Sequence, residues 1–400
     1  MRILHLLIDW VFDNAAIGIF SDMEKDCVLE NRFVILRTSD DKVLHKIESR
    51  HKVDVIQVNT DAYEWLKKEP FDIIWVHALT DIKARFVLSL PKRPVIVWST
   101  WGYDYVRFAN RWLYGLRTTR LWLKGTAFKS AVKSIMTYLV SITPWVRFLP
   151  HLYCKFFRVV DFYSTVVPEE EVFLSRILGK KAKRIAFHYC SQKNRDVIWP
   201  RVDLSAKRIW IGNSATLTNN HLDVLPVIEE CKGFEIHIPL SYSTFPGDKV
   251  VSEAVEKEGK RRWGDRFYSH KDFLPFDEYR KLMGQCALFI FAHRRQQSGG
   301  NITLALRMGG CVVMDERNPI FQYAKRNGIC LYSLSDLKRH GAERLIEDFR
   351  PRQLENMTKA RELWRYERMM TEIRNSIGFL REKIEGNQVT DTPVAPQPST

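Results

Sequence analysis

Small and polar residues follow an apolar run at Ile209–Ile211, in the stretch IWIGNSATLTNNHLD. Gly212 would let the backbone approach a ligand closely, and Asn213 and Ser214 add short polar side chains. Asn219 or its neighbours could cap a following helix, whose first N–H groups and positive dipole end form a natural anion site. An ordinary turn with a helix cap would use the same residues, so this segment alone leaves both interpretations open.

A second loop of similar character follows the apolar run Ala287–Phe291 and reads HRRQQSGGNIT. Its arginines could donate charged hydrogen bonds to phosphate, and its paired glycines could bring backbone amides to the same group. The polar residues concerned are His293, Arg294, Arg295, Gln296, Gln297, Ser298, Gly299, Gly300 and Asn301. We expect Thr303 to open the helix that follows. A phosphate-binding loop is the favoured interpretation, and a solvated basic turn is the alternative.

A third group of polar residues follows the apolar run Cys311–Met314. Glu316 or Asn318 could bond a ribose hydroxyl, since both carry hydrogen-bonding oxygens. Either residue could equally fix the loop as part of a simple turn.

Acids, a histidine and aromatic residues follow three apolar runs in the first half of the chain. Asp9, Asp13 and Asn14 follow the first run, His77 ends FDIIWVH, and WGYD at 101–104 follows another run. A carboxylate such as Asp9 or Asp104, or the imidazole of His77, could act as a general base on a hydroxyl group. Each acid alone is more often a cap or turn residue. The chain contains no Asp-x-Asp pair, which weakens the case for a metal-bound nucleotide diphosphate.

Short apolar runs recur along the chain, separated by helical patterns, which indicates parallel sheets buried on both faces. These runs are Ile3–Ile8, Phe33–Leu36, Val53–Val58, Phe71–Val76, Val95–Trp98, Arg208–Ile211, Phe234–Pro239, Ala287–Phe291, Cys311–Met314 and Ile329–Tyr332. A polar stretch near residues 188–207 separates the first five of these apolar runs from the last five. We therefore predict two doubly wound α/β domains, 1–197 and 205–383, facing across a cleft, and a disordered tail at 384–400.

The 400-residue chain has a formal net charge of +15, which favours an anionic partner. Residues 107–158 hold ten Lys and Arg side chains interleaved with aromatic residues, a pattern typical of an element at a membrane surface. A basic insertion packed on its own domain is the alternative, and nucleic-acid binding is disfavoured because no nucleic-acid-binding motif accompanies the charge. No apolar stretch reaches the length of a membrane span. We expect a protein that is not integral to the membrane.

These motifs together resemble glycosyltransferase family 56. Three stretches carry most of the likeness: IGNSATLTNNH, the segment from LPFDEYRKL to DERNPIF, and WSTWGYDYV. The matching residues are Gly212, Asn213, Ser214, Asn219, His221, Phe276, Asp277, Tyr279, Arg295, Gln296, Gln297, Thr303, Leu304, Asn318, Pro319, Trp101, Gly102, Asp104, Asp9, Asn14 and His77. The likeness spans most of residues 1–335.

The resemblance implies a GT-B fold, with two Rossmann-like domains, and an enzyme that needs neither a bound metal nor another cofactor. The second would bind a nucleotide-diphosphate sugar through Gly212, Asn213, Ser214, Asn219, His221, Arg295, Gln296, Gln297, Thr303 and Asn318. The first would bind an undecaprenyl-pyrophosphate-linked acceptor, with Asp104, Asp9 and His77 as candidates for acceptor binding or general base. The expected donor carries a 4-acetamido-4,6-dideoxygalactose-like sugar on TDP, as in enterobacterial common antigen synthesis, at the cytoplasmic face of the bacterial inner membrane.

Two departures from the family pattern leave the donor sugar open. The loop SGGNIT after Gln297 is longer than expected, and DERNP exchanges charges within the usual motif. Another GT-B glycosyltransferase of O-antigen or capsule synthesis, or a non-catalytic nucleotide-sugar-binding relative, would share the same motifs.

Overall fold

The computed structural model of the chain describes residues 1–26, 29–108, 112–125, 132, 135–136, 139, 151–179, 181–190, 200–241 and 248–390. Part of the predicted basic insertion, 107–158, lies outside these residues. Within the described part of the chain, none of the helices has the length and apolar character needed to cross a membrane.

Seven parallel strands form the first sheet. They are β1 (Arg2–Leu7), β2 (Glu30–Arg37), β3 (Val53–Gln57), β4 (Ile73–His77), β5 (Val95–Ser99), β6 (Phe162–Ser164) and β7 (Lys183–Arg184). Their order across the sheet is β3-β2-β1-β4-β5-β6-β7. The order reverses between β1 and β4, and ligands in doubly wound sheets bind beyond the carboxyl ends of the strands at such a point.

Six parallel strands form the second sheet. They are β8 (Arg208–Ile211), β9 (Glu235–Pro239), β10 (Phe267–His270), β11 (Leu288–Phe291), β12 (Cys311–Met314) and β13 (Tyr332–Ser333). Their order is β10-β9-β8-β11-β12-β13, so the reversal falls between β8 and β11. The two predicted doubly wound domains are therefore confirmed.

Helices connect the strands and cover both sheets. They are α1 (Val11–Asp26), α2 (Asp61–Lys68), α3 (Asp81–Leu88), α4 (Leu116–Gly125), α5 (Leu152–Phe157), α6 (Glu171–Leu178), α7 (His221–Val224), α8 (Asp248–Trp263), α9 (Phe276–Gly284), α10 (Gly299–Arg307), α11 (Pro319–Arg326), α12 (Leu334–His340), α13 (Ala342–Phe349), α14 (Gln353–Leu363) and α15 (Tyr366–Thr390). Several begin at a side-chain cap: the hydroxyls of Thr60, Thr80 and Ser333 accept hydrogen bonds from the first turns of α2, α3 and α12.

The last helix, α15, returns from the second domain to the first. Met370, Ile373, Ile377 and Leu380 join the buried cluster on one face of the first sheet. The hydroxyl of Ser376 also accepts a hydrogen bond from the backbone N–H of Ala186. The sequence pattern places this segment in the second domain and begins a disordered tail at residue 384, whereas α15 continues to Thr390 and residues 391–400 lie outside the described chain.

Candidate active site

Two loops leave neighbouring strands at the switch point of the second sheet. Loop A (residues 212–221) follows β8 and loop B (residues 292–300) follows β11, and these strands are paired directly. The loops are also bonded to each other. His293 Nε2 lies 2.8 Å from Asn219 Oδ1, and Thr218 Oγ1 donates to Gln297 Oε1 at 2.6 Å. The motifs GNSATLTNNH and HRRQQSGG therefore meet at the carboxyl ends of two neighbouring strands.

Asn219 organises the turn of loop A. Its fully buried carboxamide accepts a hydrogen bond from Asn213 N at 3.0 Å and donates to Ser214 Oγ at 3.0 Å. Gly212 adopts φ of +70°, and a Cβ there would overlap the His221 ring and lie 2.5 Å from Asn219 Oδ1. Asn219 and Gly212 therefore shape the loop, while Asn213 and Ser214 occupy its turn.

Two histidines lie behind this turn. The Nε2 of His221 donates to Ser214 O at 2.9 Å, and both rings are almost completely buried. Burial lowers the pKa of His221 to about 4 and lowers the pKa of His293 well below its ordinary value. Because both imidazoles are neutral, positive charge for an anion must come from elsewhere in the site.

Arg295 supplies that charge. It is half-buried, and its Nη1 donates to Gln296 O at 2.8 Å. Gly102 of the first domain lies against it, since a Cβ on Gly102 would stand 3.2 Å from Arg295 Nη1 and 2.9 Å from Gln296 O. Burial lowers the pKa of Arg295, whereas Tyr105 and Asp104 of the first domain act to raise it. Its guanidinium therefore lies between the two sheets.

The helix after loop B begins earlier than predicted. Ser298 adopts φ of +61°, and α10 starts at Gly299, so Thr303 lies one turn inside the helix rather than at its first residue. Gly300 is exposed, and no atom lies within 4 Å of the position that a Cβ would take there. The positive end of α10 thus falls directly after Gln297, which suits an anion better than the predicted start.

Asn318 fixes loop B from the next strand. Its buried side chain donates to His293 O at 3.0 Å and to Arg295 O at 2.9 Å, and it caps α11 by accepting from Ile320 N. The sequence left open whether Asn318 bonds a ribose hydroxyl or fixes the loop, and these hydrogen bonds show that it fixes loop B. Glu316 is exposed and accepts a hydrogen bond from Ser335 Oγ at 3.2 Å.

In the first domain, Asp9 supports a neighbouring loop. Its carboxylate accepts hydrogen bonds from the backbone N–H groups of His45, Lys46 and Ile47 at 2.8–3.1 Å. Burial acts to raise the pKa of Asp9, but these three donors and the charge of Arg37 together hold the pKa below its ordinary value. The side-chain oxygen of Asn14 likewise accepts a hydrogen bond from Glu48 N at 2.8 Å.

His77 belongs to a buried chain of hydrogen bonds. Asn31 Oδ1 lies 3.0 Å from His5 Nε2, His5 Nδ1 lies 3.1 Å from His77 Nε2, and His77 Nδ1 lies 2.8 Å from the Tyr189 hydroxyl. The Asn31 oxygen can only accept, so each ring donates through Nε2 and the Tyr189 O–H must donate to His77 Nδ1. Burial lowers the pKa of His77 well below its ordinary value, so this ring is neutral and remote from solvent.

Asp104 lies in the loop after β5 and is nearly fully buried. Its oxygens accept hydrogen bonds from Leu79 N at 3.0 Å, Trp98 Nε1 at 3.1 Å and Trp101 N at 3.2 Å. Burial raises the pKa of Asp104 to about 6 against the effect of these donors. The carboxylate therefore holds the ends of β4 and β5 together, next to Arg295.

Sequence reasoning missed two buried ionisable groups beside these acids. Lys83 on α3 donates to the carbonyls of His77 and Ala78, and Glu170 accepts from the hydroxyl of Tyr105. The position of Lys83 on the face of α3 that also buries Phe86 and Val87 was the available signal, because lysine is rarely buried without partners. No comparable pattern marked Glu170.

Comparison with known proteins agrees with the fold and with the motifs of the second domain. Residues 180–360 match the family described as 4-alpha-L-fucosyltransferase glycosyl transferase group 56. Sucrose-phosphate synthase from Thermosynechococcus elongatus superposes with a TM-score of 0.64 at 9% identity, covering 97% of this chain and 100% of that one.

Two further structures share the fold. An alpha,alpha-trehalose 6-phosphate synthase from Burkholderia multivorans gives a TM-score of 0.55 at 10% identity, covering 99% of both chains. An alpha-glucosyltransferase solved with UDP and a 13-mer DNA gives 0.55 at 12% identity, covering 96% of this chain and 99% of that one. At these identities the likeness concerns the fold alone, which is that of GT-B glycosyltransferases. Residues 180–360 therefore resemble glycosyl transferase group 56, and the chain as a whole has the fold of GT-B glycosyltransferases.

Proposed function

We propose that the protein transfers a deoxy-amino-sugar, similar to 4-acetamido-4,6-dideoxygalactose, from TDP to an undecaprenyl-pyrophosphate-linked saccharide. The transfer would take place at the cytoplasmic face of the bacterial inner membrane, in the synthesis of a cell-surface polysaccharide such as enterobacterial common antigen. The observation that carries the proposal is the position of Arg295. It belongs to loop B of the second domain and lies against Gly102 of the first domain.

The donor diphosphate would lie between loop A and the start of α10. Arg295 would neutralise the charge that develops on the departing diphosphate, together with the N-terminal amides of α10. Gln297 joins both loops, since its amide group bonds Thr218 Oγ1 and Asn213 Oδ1. These groups require no bound metal, and we expect transfer to continue in the presence of a chelator.

The acceptor would enter from the first domain. Phe12 and Trp101 form a T-shaped pair with ring centroids 5.2 Å apart, and Phe12 is 48% exposed. Exposed aromatic rings offer apolar faces on which a sugar ring can stack. The lipid part of the acceptor would remain in the bilayer, beside the basic and aromatic segment 107–158.

Donor binding tests the assignment directly. We expect dTDP to raise the melting temperature of the protein more than UDP or GDP does. Arg295→Ala should abolish most of that increase, because it removes the charged hydrogen-bond donor of loop B. Arg266→Ala, an exposed residue before β10, is the matched control and should respond like the wild type. Wild-type binding by Arg295→Ala would exclude the assignment.

A different donor sugar is the second candidate, favoured by the sequence departures in SGGNIT and DERNP. Both stretches lie at the carboxyl ends of β11 and β12, next to loop A. A screen of nucleotide sugars with a lipid-linked acceptor would distinguish the two candidates by the sugar that is transferred. A protein that binds these donors with neither transfer nor hydrolysis would be a non-catalytic relative.

A further inference from the structure

Asp13 stands out among the strand-end acids because one of its oxygens has no partner. The side chain is fully buried on the first turn of α1. Its Oδ2 accepts hydrogen bonds from Ile8 N at 3.1 Å and Trp10 N at 2.9 Å, whereas Oδ1 contacts no donor within the described chain. Buried carboxylate oxygens are normally hydrogen-bonded, since an unsatisfied acceptor carries a desolvation penalty. A donor from a bound ligand would remove that penalty.

The other two acids of this region cannot take the same role without losing structure. Both oxygens of Asp9 bind backbone N–H groups of the 45–47 segment. Both oxygens of Asp104 are bound as well, to Leu79 N and Trp98 Nε1 through one and to Trp101 N through the other. Asp13 is thus the acid that keeps a free oxygen.

We propose that Asp13 Oδ1 takes the proton of the acceptor hydroxyl during glycosyl transfer. This inference rests on the proposed function, and it replaces Asp104, Asp9 and His77 as the candidate base.

Lys83 keeps Asp13 in a form that can accept a proton. The Lys83 ammonium is buried and donates to the carbonyls of His77 and Ala78, which leaves one of its three N–H bonds for another partner. Its charge lowers the pKa of Asp13, although burial dominates and raises it overall. A carboxylate whose pKa is raised towards neutral pH suits a general base.

Backbone strain marks the same place. Asp9 has φ of +64° and Ala78 has φ of +55°, and these residues follow the paired strands β1 and β4. Non-glycine residues with positive φ are uncommon and cluster at functional sites, where surrounding structure maintains them. Lys83 helps to hold Ala78 in this conformation, because its Nζ donates a hydrogen bond to Ala78 O at 3.0 Å.

Tyr103 lies near both Asp13 and the donor site. Tyr103 is 45% exposed. Burial raises the pKa of its hydroxyl most, and the negative charges of Asp104 and Asp13 raise it further. Its neighbour Gly102 lies against Arg295, as described above. A hydroxyl bonded to Asp13 would therefore stand close to a sugar whose diphosphate is held by Arg295.

The step balances without further groups. The acceptor O–H bond breaks and its proton passes to Asp13 Oδ1. The acceptor oxygen forms a bond to C1 of the sugar, and the bond from C1 to the diphosphate oxygen breaks. The electron pair of that bond leaves on the nucleoside diphosphate, beside Arg295. Asp13, now a neutral acid, returns its proton to water after the product leaves.

The variant Asp13→Asn tests the proposal with little change of shape, because the amide oxygen can still accept from Ile8 N and Trp10 N. We expect kcat to fall about 100- to 10,000-fold, the range of a lost general base, with dTDP affinity within threefold of the wild type. The wild-type kcat should fall at acid pH as Asp13 is protonated, and this limb should be absent in the variant. Asp161→Asn is the matched control, since Asp161 also accepts a backbone N–H, from Ile96 at 2.9 Å, at the opposite end of the sheet.

Four other ionisable groups near Asp13 can influence the pH at which kcat falls. They are Lys83 on α3, Asp9 before α1, Tyr103 after β5 and Tyr189. A kcat for Asp13→Asn within tenfold of the wild type, or an unchanged acid limb, would overturn the proposal.

If Asp13→Asn does not fold, Asp13→Ser removes the carboxylate but keeps a hydroxyl oxygen as a hydrogen-bond acceptor, and a folded variant with kcat within tenfold of the wild type would overturn the proposal equally. Absence of transfer by the wild type itself would instead refute the proposed function.

Discussion

At the scale of single residues, Gly212 carries the strictest steric requirement of loop A. We expect Gly212→Ala to lower the free energy of unfolding by about 1–3 kcal/mol, because φ of +70° is strained for alanine and its Cβ would overlap the His221 ring. The displaced ring would also disturb Ser214, so dTDP should no longer stabilise the variant. Urea unfolding with and without dTDP measures both effects.

Gly233→Ala is the control for that change. Gly233 lies in the same domain with no atom within 4 Å of a Cβ position and without a positive φ. Its unfolding free energy and its response to dTDP should match the wild type. Equal stability of Gly212→Ala and Gly233→Ala would show that loop A tolerates another shape.

Glu170 gives a pH-dependent prediction. Burial raises its pKa to about 7, so the folded state binds a proton that the unfolded state releases near pH 4.5, and stability falls as pH rises between these values. In Glu170→Gln, the amide can bond both Tyr105 and Val167 N without a buried charge. We expect the variant to be about 1–3 kcal/mol more stable than the wild type at pH 8, and equal to it at pH 5. Urea unfolding at both pH values measures the difference, and a constant difference would contradict the assigned pKa.

At the scale of elements, the apolar runs predicted the long strands and the position of their polar ends. β6, β7 and β10 were missed because they are two to four residues long and lack a distinct apolar pattern. The start of α10 was placed four residues too late, since a Gly-Gly pair normally weakens a helix and nothing local shows that Ser298 ends the turn. Such boundaries depend on tertiary contacts.

The same limit applies to the candidate base. Asp9 and Asp13 both follow the apolar run of β1, and nothing in the sequence separates their roles. Only the fold shows that the 45–47 segment occupies Asp9 and leaves Asp13 Oδ1 without a partner in the described chain. The resemblance located the loops correctly, but it could not distinguish these two acids.

A short segment at residues 112–118, which we call the strap, connects the first domain to Asn220 of loop A and to α7, which follows loop A. Asp223 accepts hydrogen bonds from Arg117 N at 2.8 Å, Thr118 N at 3.0 Å and Thr118 Oγ1 at 2.6 Å. Arg294 also donates to the carbonyls of Trp112 and Tyr114. The start of α4 is therefore attached to the donor domain.

Asp223→Ala should release this attachment. We expect faster amide hydrogen exchange at residues 116–125 and faster tryptic cleavage after Arg117 and Arg120, because three hydrogen bonds are lost together. Asp265→Ala, an exposed acid in the same domain, should leave both rates unchanged. Unchanged exchange in Asp223→Ala would mean that Asn220 and Arg294 hold the strap without Asp223.

At the scale of the whole molecule, the strap and α15 both join the two domains. The strap links the first domain to loop A, and α15 links the end of the second domain to the core of the first. Arg326 also pairs with Glu169 at 2.9 Å across the domains. We propose that α4 contacts the membrane surface. Because the strap includes the start of α4 and is bonded to Asn220 of loop A, we expect surface binding and donor binding to be coupled.

Vesicle binding tests the membrane part of the proposed function. On α4, Leu116 is 79% exposed and Leu123 is 46% exposed, beside the basic residues Arg117, Arg120 and Lys124. We expect the full chain to bind vesicles with about 30% anionic lipid at low salt and to dissociate as salt screens the charge. The double variant Leu116→Glu and Leu123→Glu should bind at least about tenfold more weakly, because each change removes apolar contact and adds repulsion. Leu354→Glu alters a similarly exposed leucine on α14 and should bind like the wild type. If the double variant and Leu354→Glu sediment equally with vesicles, α4 does not contact the bilayer.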